Sequence, residues 1–313
     1  MRIAVTGGAG FIGSHAVEYL AGAGHAVLVL DDLSSGHQSN LSSVRDRIAF
    51  ERLDVRDRDG CARALAGWRS EAVLHFAAVA SPLRSIQDPA AAHDVNLTGT
   101  FNVLEAARVG GVRRFIFPGS AAVYGPSPSL PSDESDPLQP VSPYAAQKAA
   151  GELLASVYRS VWGLETVTLR FFNVFGERQP ADSAYSGVIS IFLRALREDG
   201  HAVIAGDGEQ SRDFIYVSDV VRVVRRALFG EDPGAGPFNV GRGESLSVRS
   251  LYSILAARLG VPDEPHFADR RAGDVRHSRA RIDRLRHQLG IEPEVSVTAG
   301  IDRLLSWEAA LTR

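Results

Sequence analysis

Short runs rich in β-branched residues alternate, along the first half of the chain, with longer stretches whose apolar positions recur at helical spacing. The runs lie at 3–6, 26–30, 48–53, 72–76, 114–117 and 166–171, and the helical patterns at 12–23, 90–108 and 143–162. Strands alternating with helices imply an α/β fold on a doubly wound parallel sheet, because each parallel connection must cross back over one sheet face. After position 171 the alternation weakens, and shorter elements separated by Gly, Asp and Arg suggest a smaller C-terminal α/β lobe. The expected division is a main domain over 1–172 and a lobe over 173–313, with about 206–242 returning to the main domain. Proline and serine concentrate at 126–143, which reads as a long ordered loop because it leads straight into a helix.

Composition narrows the function classes. With 313 residues, 45% of them hydrophobic, the chain can bury one large core plus a lobe. A net charge of −3 gives no basic excess for nucleic acid, although arginines crowd 270–286. Cys61 stands alone and the nine histidines are scattered, so no disulfide, cysteine-rich zinc site or catalytic metal is expected. The opening MRIAVTGG is too short an apolar run for a signal peptide, and no stretch approaches membrane-spanning length. A cytoplasmic protein without membrane or nucleic-acid partners is the expectation.

The segment TGGAGFIGSH at 6–15 follows the first strand and opens the first helix, with Gly7, Gly10 and Gly13 three apart. Glycines there let the backbone approach a pyrophosphate, whose charge is stabilised by free N–H groups at the helix start. Eighteen positions after Gly13, Asp31 ends the second strand, where a carboxylate accepts from ribose hydroxyls and repels a 2′-phosphate; NAD is favoured over NADP. Asp54 fits either the adenine or the cap of the next helix.

Lys148 is the only lysine among 34 Lys and Arg, and it follows Tyr144 by four residues in YAAQK. On a helix the two share a face. A phenol near pKa 10 is a poor base; a neighbouring ammonium stabilises the phenolate. Ser120, at the end of the fifth strand, could either hold a substrate oxygen beside Tyr144 or simply make a turn.

TGGAGFIGSH, the acidic strand end Asp31–Asp32, HFAA at 75–78, SAAVYG at 120–125 and YAAQK together resemble the extended short-chain dehydrogenase/reductases. The nucleotide-sugar 4-epimerases of the UDP-glucose/UDP-galactose type are the nearest branch. FFNVFG at 171–176, GDGEQSRDFIYVSDV at 206–220, FNVG at 238–241 and RAGDVRHS at 271–278 carry the resemblance over nearly the whole chain. It implies a Rossmann domain holding NAD, a nucleotide-sugar lobe, and a homodimer through the 90–108 and 143–162 helices. Ser120, Tyr144 and Lys148 become the catalytic triad. The NAD site takes Gly7, Gly10, Phe11, Ile12, Gly13, Asp31, Asp32, Leu33, Ser34, Ser35, Gly36, Asp54, Val55, Phe76, Ala77, Ala78, Ala80, Asn96 and Phe172, with Tyr144 and Lys148. Asn173, Gly187, Val188, Arg212, Arg271, Asp274 and Ser278 hold the UDP-sugar, beside Ser120 and Tyr144.

Within that family the 4,6-dehydratases carry an Asp-Glu pair directly after the catalytic Ser or Thr; here the positions are Ala121 and Ala122. Without an acid and a base there, reversible oxidation at sugar C4 is the simplest outcome: 4-epimerisation through a 4-keto intermediate. A ketosugar reductase, a dehydratase-like enzyme and a non-catalytic NAD-binding regulator are the rival readings. The resemblance also places position 278 near the sugar's C2 substituent; Ser278 in place of a tyrosine leaves room for an N-acetyl group. Departures from the family pattern are Pro118–Gly119 before Ser120, Phe175 for a tyrosine, and Arg281 for an aspartate, which removes an expected salt bridge.

Overall fold

A computed structural model describes residues 1–126, 129–180, 187–231, 233–234, 236–270 and 275–311. The first half of the chain runs β1 (Arg2–Thr6), α1 (Phe11–Gly22), β2 (Ala26–Asp31), β3 (Ile48–Arg52), α2 (Arg58–Trp68), β4 (Ala72–His75), α3 (Pro82–Gln87), α4 (Pro89–His93), α5 (Thr100–Val109), β5 (Arg114–Ser120), α6 (Pro143–Trp162) and β6 (Glu165–Phe171). Then follow β7 (Asn173–Phe175), α7 (Val188–Glu198), β8 (Val203–Ala205), β9 (Ser211–Arg212), β10 (Phe214–Tyr216), α8 (Val217–Phe229), β11 (Phe238–Val240), β12 (Leu246–Ser247), α9 (Val248–Leu259), β13 (His266–Ala268), α10 (Asp283–Leu289) and α11 (Val297–Leu311).

Seven strands form one parallel sheet in the order β11-β6-β5-β4-β1-β2-β3. Its inner strands are apolar runs because helices cover both faces. One face packs Ile3, Val5, Val17 and Leu20 with Val220, Val224, Leu228 and Phe238. The other packs Ala4, Leu65, Val73, Leu104, Phe115 and Phe117. Helix α8 thus packs on the main sheet and β11 pairs into it, whereas α7, β8, α9 and α11 enclose a third core around Phe192, Ile204, Leu251 and Ile301. Strand order reverses between β1 and β4, which opens a crevice above their carboxyl ends.

Three local differences from the sequence pattern have simple causes. The 90–108 helix is interrupted by a π-helical turn at Asp94–Gly99. Helix α2 contains two glycines that blur its periodicity, yet the Asp57 carboxylate caps it by accepting from Gly60 N at 2.9 Å. Strand β11 is three residues long and is held by pairing with Leu169–Phe171, a long-range contact with no local signature.

Candidate active site

The cradle forms at the turn from β1 into α1, at the carboxyl end of the sheet. Gly7 has φ +65°, and a Cβ there would lie 2.5 Å from Ala77 N; a Cβ on Gly13 would lie 2.2 Å from Gly7 O. Gly10 is the N-cap of α1 and provides no capping side chain, so the helix opens with N–H groups left for an anion. Asp31 is buried at the end of β2, its Oδ2 accepting from Ala9 N and its Oδ1 from Leu33 N, both at 2.9 Å. Burial pushes its pKa up against those hydrogen bonds. It pins the glycine loop to the Asp32–Gly36 turn, where Leu33 has φ +63° and Asp32 accepts from Ser34 N and Oγ. Each oxygen keeps a lone pair for a ribose hydroxyl, so the donor set fits a dinucleotide. Asp54 does not cap α2, a task that falls to Asp57; its carboxylate is forked onto Arg56, which lowers its pKa. Val55 is buried against Gly99.

The opposite wall is the segment 76–80. Asn96, in the π-helical turn, holds it: Oδ1 accepts from Val79 N at 2.7 Å, while Nδ2 donates to Val79 O and to Gln147 Oε1. Beneath lies His75, 1% exposed, between two hydroxyls. Thr100 donates to Asn96 O, so its Oγ1 accepts from His75 Nε2, and Thr6 donates to His75 Nδ1. Burial, then the Lys148 charge, pushes His75 down to about 3. Its folded pKa lies below the unfolded value, so its contribution to stability is complete above about pH 6.5 and is lost as pH falls toward 3. Acidification from 6.5 to 5 is expected to cost about 2 kcal/mol through this residue, read as urea unfolding against pH; His75→Gln flattens that slope.

Ser120 ends β5 as N-cap of a 3₁₀ turn, Ala121–Tyr124, accepting from Ala122 N at 3.2 Å. Tyr144 and Lys148 sit in the first two turns of α6, which starts sharply because Ser142 caps Ala145 N and Pro143 occupies the first helical position. The Tyr144 N–H also donates to Ser85 Oγ at 3.0 Å. Lys148 Nζ donates to Pro118 O at 2.9 Å and lies 5.2 Å from the Phe117 ring. Pro118 stands beyond the last β5 residue paired with β4, so the proline takes nothing from that ladder. Sequence spacing alone assigns Lys148 the task of lowering the Tyr144 pKa; here burial wins and the phenol is pushed up, the Ser120 hydroxyl opposing through a hydrogen bond. Burial also lowers Lys148 to about 8.

On the far side of the crevice, Phe172 is buried and Asn173 Nδ2 donates to Asp213 O at 3.1 Å. Gly187 is the uncapped N-cap of α7, and Val188 starts that helix. Arg212 on β9 donates to Ser211 O and Arg276 O, and Ser278 N donates to Ser211 O, which brings Arg212 and Ser278 together. Arg271 and Asp274 lie outside the described residues. Arg281 replaces the expected salt bridge with its own, to Asp133 at 3.4 Å. Sequence reasoning missed Asp213, which is fully buried and accepts from the N–H groups of Arg242, Gly243 and Ala280. Burial raises it to about 6 despite those three donors. An acidic residue amid GDGEQSRDFIY gives no local hint of such distant partners.

The chain from 3 to 241 matches the model of the NAD dependent epimerase/dehydratase family. It is 42% identical over 311 residues, 98% of each chain, to a UDP-glucose 4-epimerase of Mycolicibacterium smegmatis. Among solved structures, UDP-glucose 4-epimerase of Thermotoga maritima with UDP-glucose superposes with TM-score 0.95 at 35% identity, covering 100% of both chains. UDP-N-acetylglucosamine 4-epimerase of Methanobrevibacter ruminantium, in complex with UDP-N-acetylmuramic acid, gives TM-score 0.93 at 34% identity over 99% of this chain and 98% of its own.

Proposed function

The chain belongs to the NAD dependent epimerase/dehydratase family, its cofactor is NAD, and we propose that it interconverts UDP-sugars at C4. The observation that carries this reading is the convergence of Ser120, Tyr144 and Lys148 at one sheet edge, with only Ala121 and Ala122 where an eliminating acid and base would stand. The cradle at Gly7, Gly10 and Gly13, together with Asp31, would hold the cofactor. When bound, NAD supplies the hydride acceptor and donor for C4.

Tyr144, as the phenolate, takes the proton of the C4 hydroxyl as the C4–H bond breaks, and gives it back to the C4 oxygen once the sugar has turned its other face toward the hydride that NAD would return. Ser120 aligns the C4 oxygen with the phenol and stabilises the phenolate by its hydrogen bond. Lys148, whose Nζ donates to Pro118 O, would grip the nicotinamide ribose. Arg212 and Arg271 neutralise the diphosphate, so the sugar turns while its nucleotide stays put. Asn173, Gly187 and Val188 complete the substrate wall.

The protein is further proposed to work as a homodimer in the cytoplasm. Phe101, Leu153 and Val157 are exposed and lie with Leu97, Ala150 and Leu154 on one apolar face of α5, the π-helical turn before it and α6. Cys61 is buried and unpaired, as suits a reducing compartment. Among the described residues no helix is long and apolar enough to cross a membrane.

The test is incubation with UDP-glucose, UDP-galactose and the N-acetylhexosamine pair without added NAD, with products resolved by chromatography and mass spectrometry. Both pairs are expected to equilibrate, because Ser278 is small. Ser278→Tyr is expected to cut kcat/KM for the N-acetyl pair at least tenfold while sparing the plain pair, since steric exclusion from a packed site costs about 1–3 kcal/mol. Net release of reduced product, or a requirement for fresh NADH, would instead indicate a ketosugar reductase.

A further inference from the structure

We propose that Arg170 and Tyr124 are positioning residues, forming a rigid spacer that sets the separation between the turn carrying Ser120 and the helix carrying Tyr144 and Lys148. The proposal rests on the epimerase reading for its assay. Arg170 on β6 is 3% exposed, so its charge has to be met inside the protein. On one side its fork grips Glu152, with Nε to Oε2 at 3.0 Å and Nη2 to Oε1 at 2.6 Å. Glu152 is on α6, four residues after Lys148 and eight after Tyr144, hence on the same face. On the other side Nη1 donates to the Tyr124 hydroxyl at 2.8 Å and to Glu134 O at 3.2 Å. Tyr124 closes the 3₁₀ turn that Ser120 caps. One planar guanidinium therefore bridges the two elements that bear the triad.

The far end of the spacer is tied down as well. The Tyr124 hydroxyl donates to Asn239 Oδ1 at 2.6 Å, and Asn239 N donates to Glu134 Oε1 at 2.8 Å. Asn239 Nδ2 donates to Ser132 O, which also accepts from Arg281 N. None of these side-chain atoms is among the buried groups left without a partner. A satisfied buried network holds its members to one geometry, unlike an apolar contact that slides. Proton transfer between Ser120, Tyr144 and a C4 oxygen is sensitive to displacements of an ångström or less.

Tyr124→Phe is the decisive variant, because it keeps the ring over which Arg170 stacks at 4.9 Å and removes only the hydroxyl. The expected result is a fall in kcat of about tenfold or more with KM and bound NAD unchanged. The acidic limb of the kcat–pH profile also moves to higher pH, because Ser120 then stabilises the Tyr144 phenolate less. Arg170→Lys keeps the charge but not the fork and is expected to lose kcat likewise; should it not fold, Tyr124→Phe decides alone. Wild-type kcat and pH profile in Tyr124→Phe, with only a lower Tm, overturns the spacer. Wild-type protein inactive on every UDP-sugar pair overturns the epimerase reading and the spacer together.

Discussion

Tyr144→Phe is expected to lower kcat by about 10³-fold or more, the range associated with loss of a positioned general base, while NAD stays bound and UDP-sugar affinity changes little. Among the described residues the triad reading gives proton exchange with C4 to this phenol: Ser120 Oγ accepts from Ala122 N, and His75 is sealed beneath between two threonines. Removing the hydroxyl leaves the ring and the start of α6 in place, because the Tyr144 backbone, not its side chain, anchors to Ser85. Single-turnover kinetics with bound NAD separates the chemical step from binding. Survival of more than about a tenth of wild-type kcat would remove Tyr144 from the mechanism.

Lys148 gives the second large effect, and in two directions. Lys148→Arg keeps a positive charge but puts a planar, wider head where one ammonium fits between Pro118 O and the Phe117 ring. It is expected to lose at least about 10²-fold in kcat, with NAD stripped on desalting, as misplaced positioning groups do. Lys148→Met is expected to be equally inactive yet more stable. The folded pKa, about 8, lies below the ordinary lysine value, so the folded state carries the penalty in full below pH 8 and sheds it as pH rises toward 10.5. At pH 7 the relief is about 3 kcal/mol, measured as the difference in urea-unfolding free energy. A Lys148→Met protein no more stable than wild type would mean that the buried ammonium costs nothing, and an active Lys148→Arg would return the lone lysine to coding bias.

Much of the candidate site is legible in the sequence. Gly7, Gly10 and Gly13 needed only a strand before and a helix after, and Tyr144 and Lys148 needed only a helix, which Ser142 and Pro143 announce. These are local relations, fixed by backbone geometry over a few residues. The alternatives at Asp54 stayed open because adenine contact and capping read alike in sequence; the structure removes one by giving the cap to Asp57. Spacing does not set the pull of Lys148 on Tyr144. Burial depends on everything packed above the pair, and burial is what raises the phenol and lowers the lysine.

What the sequence determined by itself is therefore the identity of the chemistry: an alternating α/β chain, a glycine cradle, and a tyrosine and lysine on one helical face. What only the tertiary structure decided is how those parts are held. Asp213 gathers Arg242, Gly243 and Ala280, β11 finds β6, and Arg170 spans from Glu152 to Tyr124. Each joins positions far apart in the chain, and no periodicity records which buried donor will meet which acceptor. That pairing is fixed only when the core closes and leaves each polar group no partner but the one it meets.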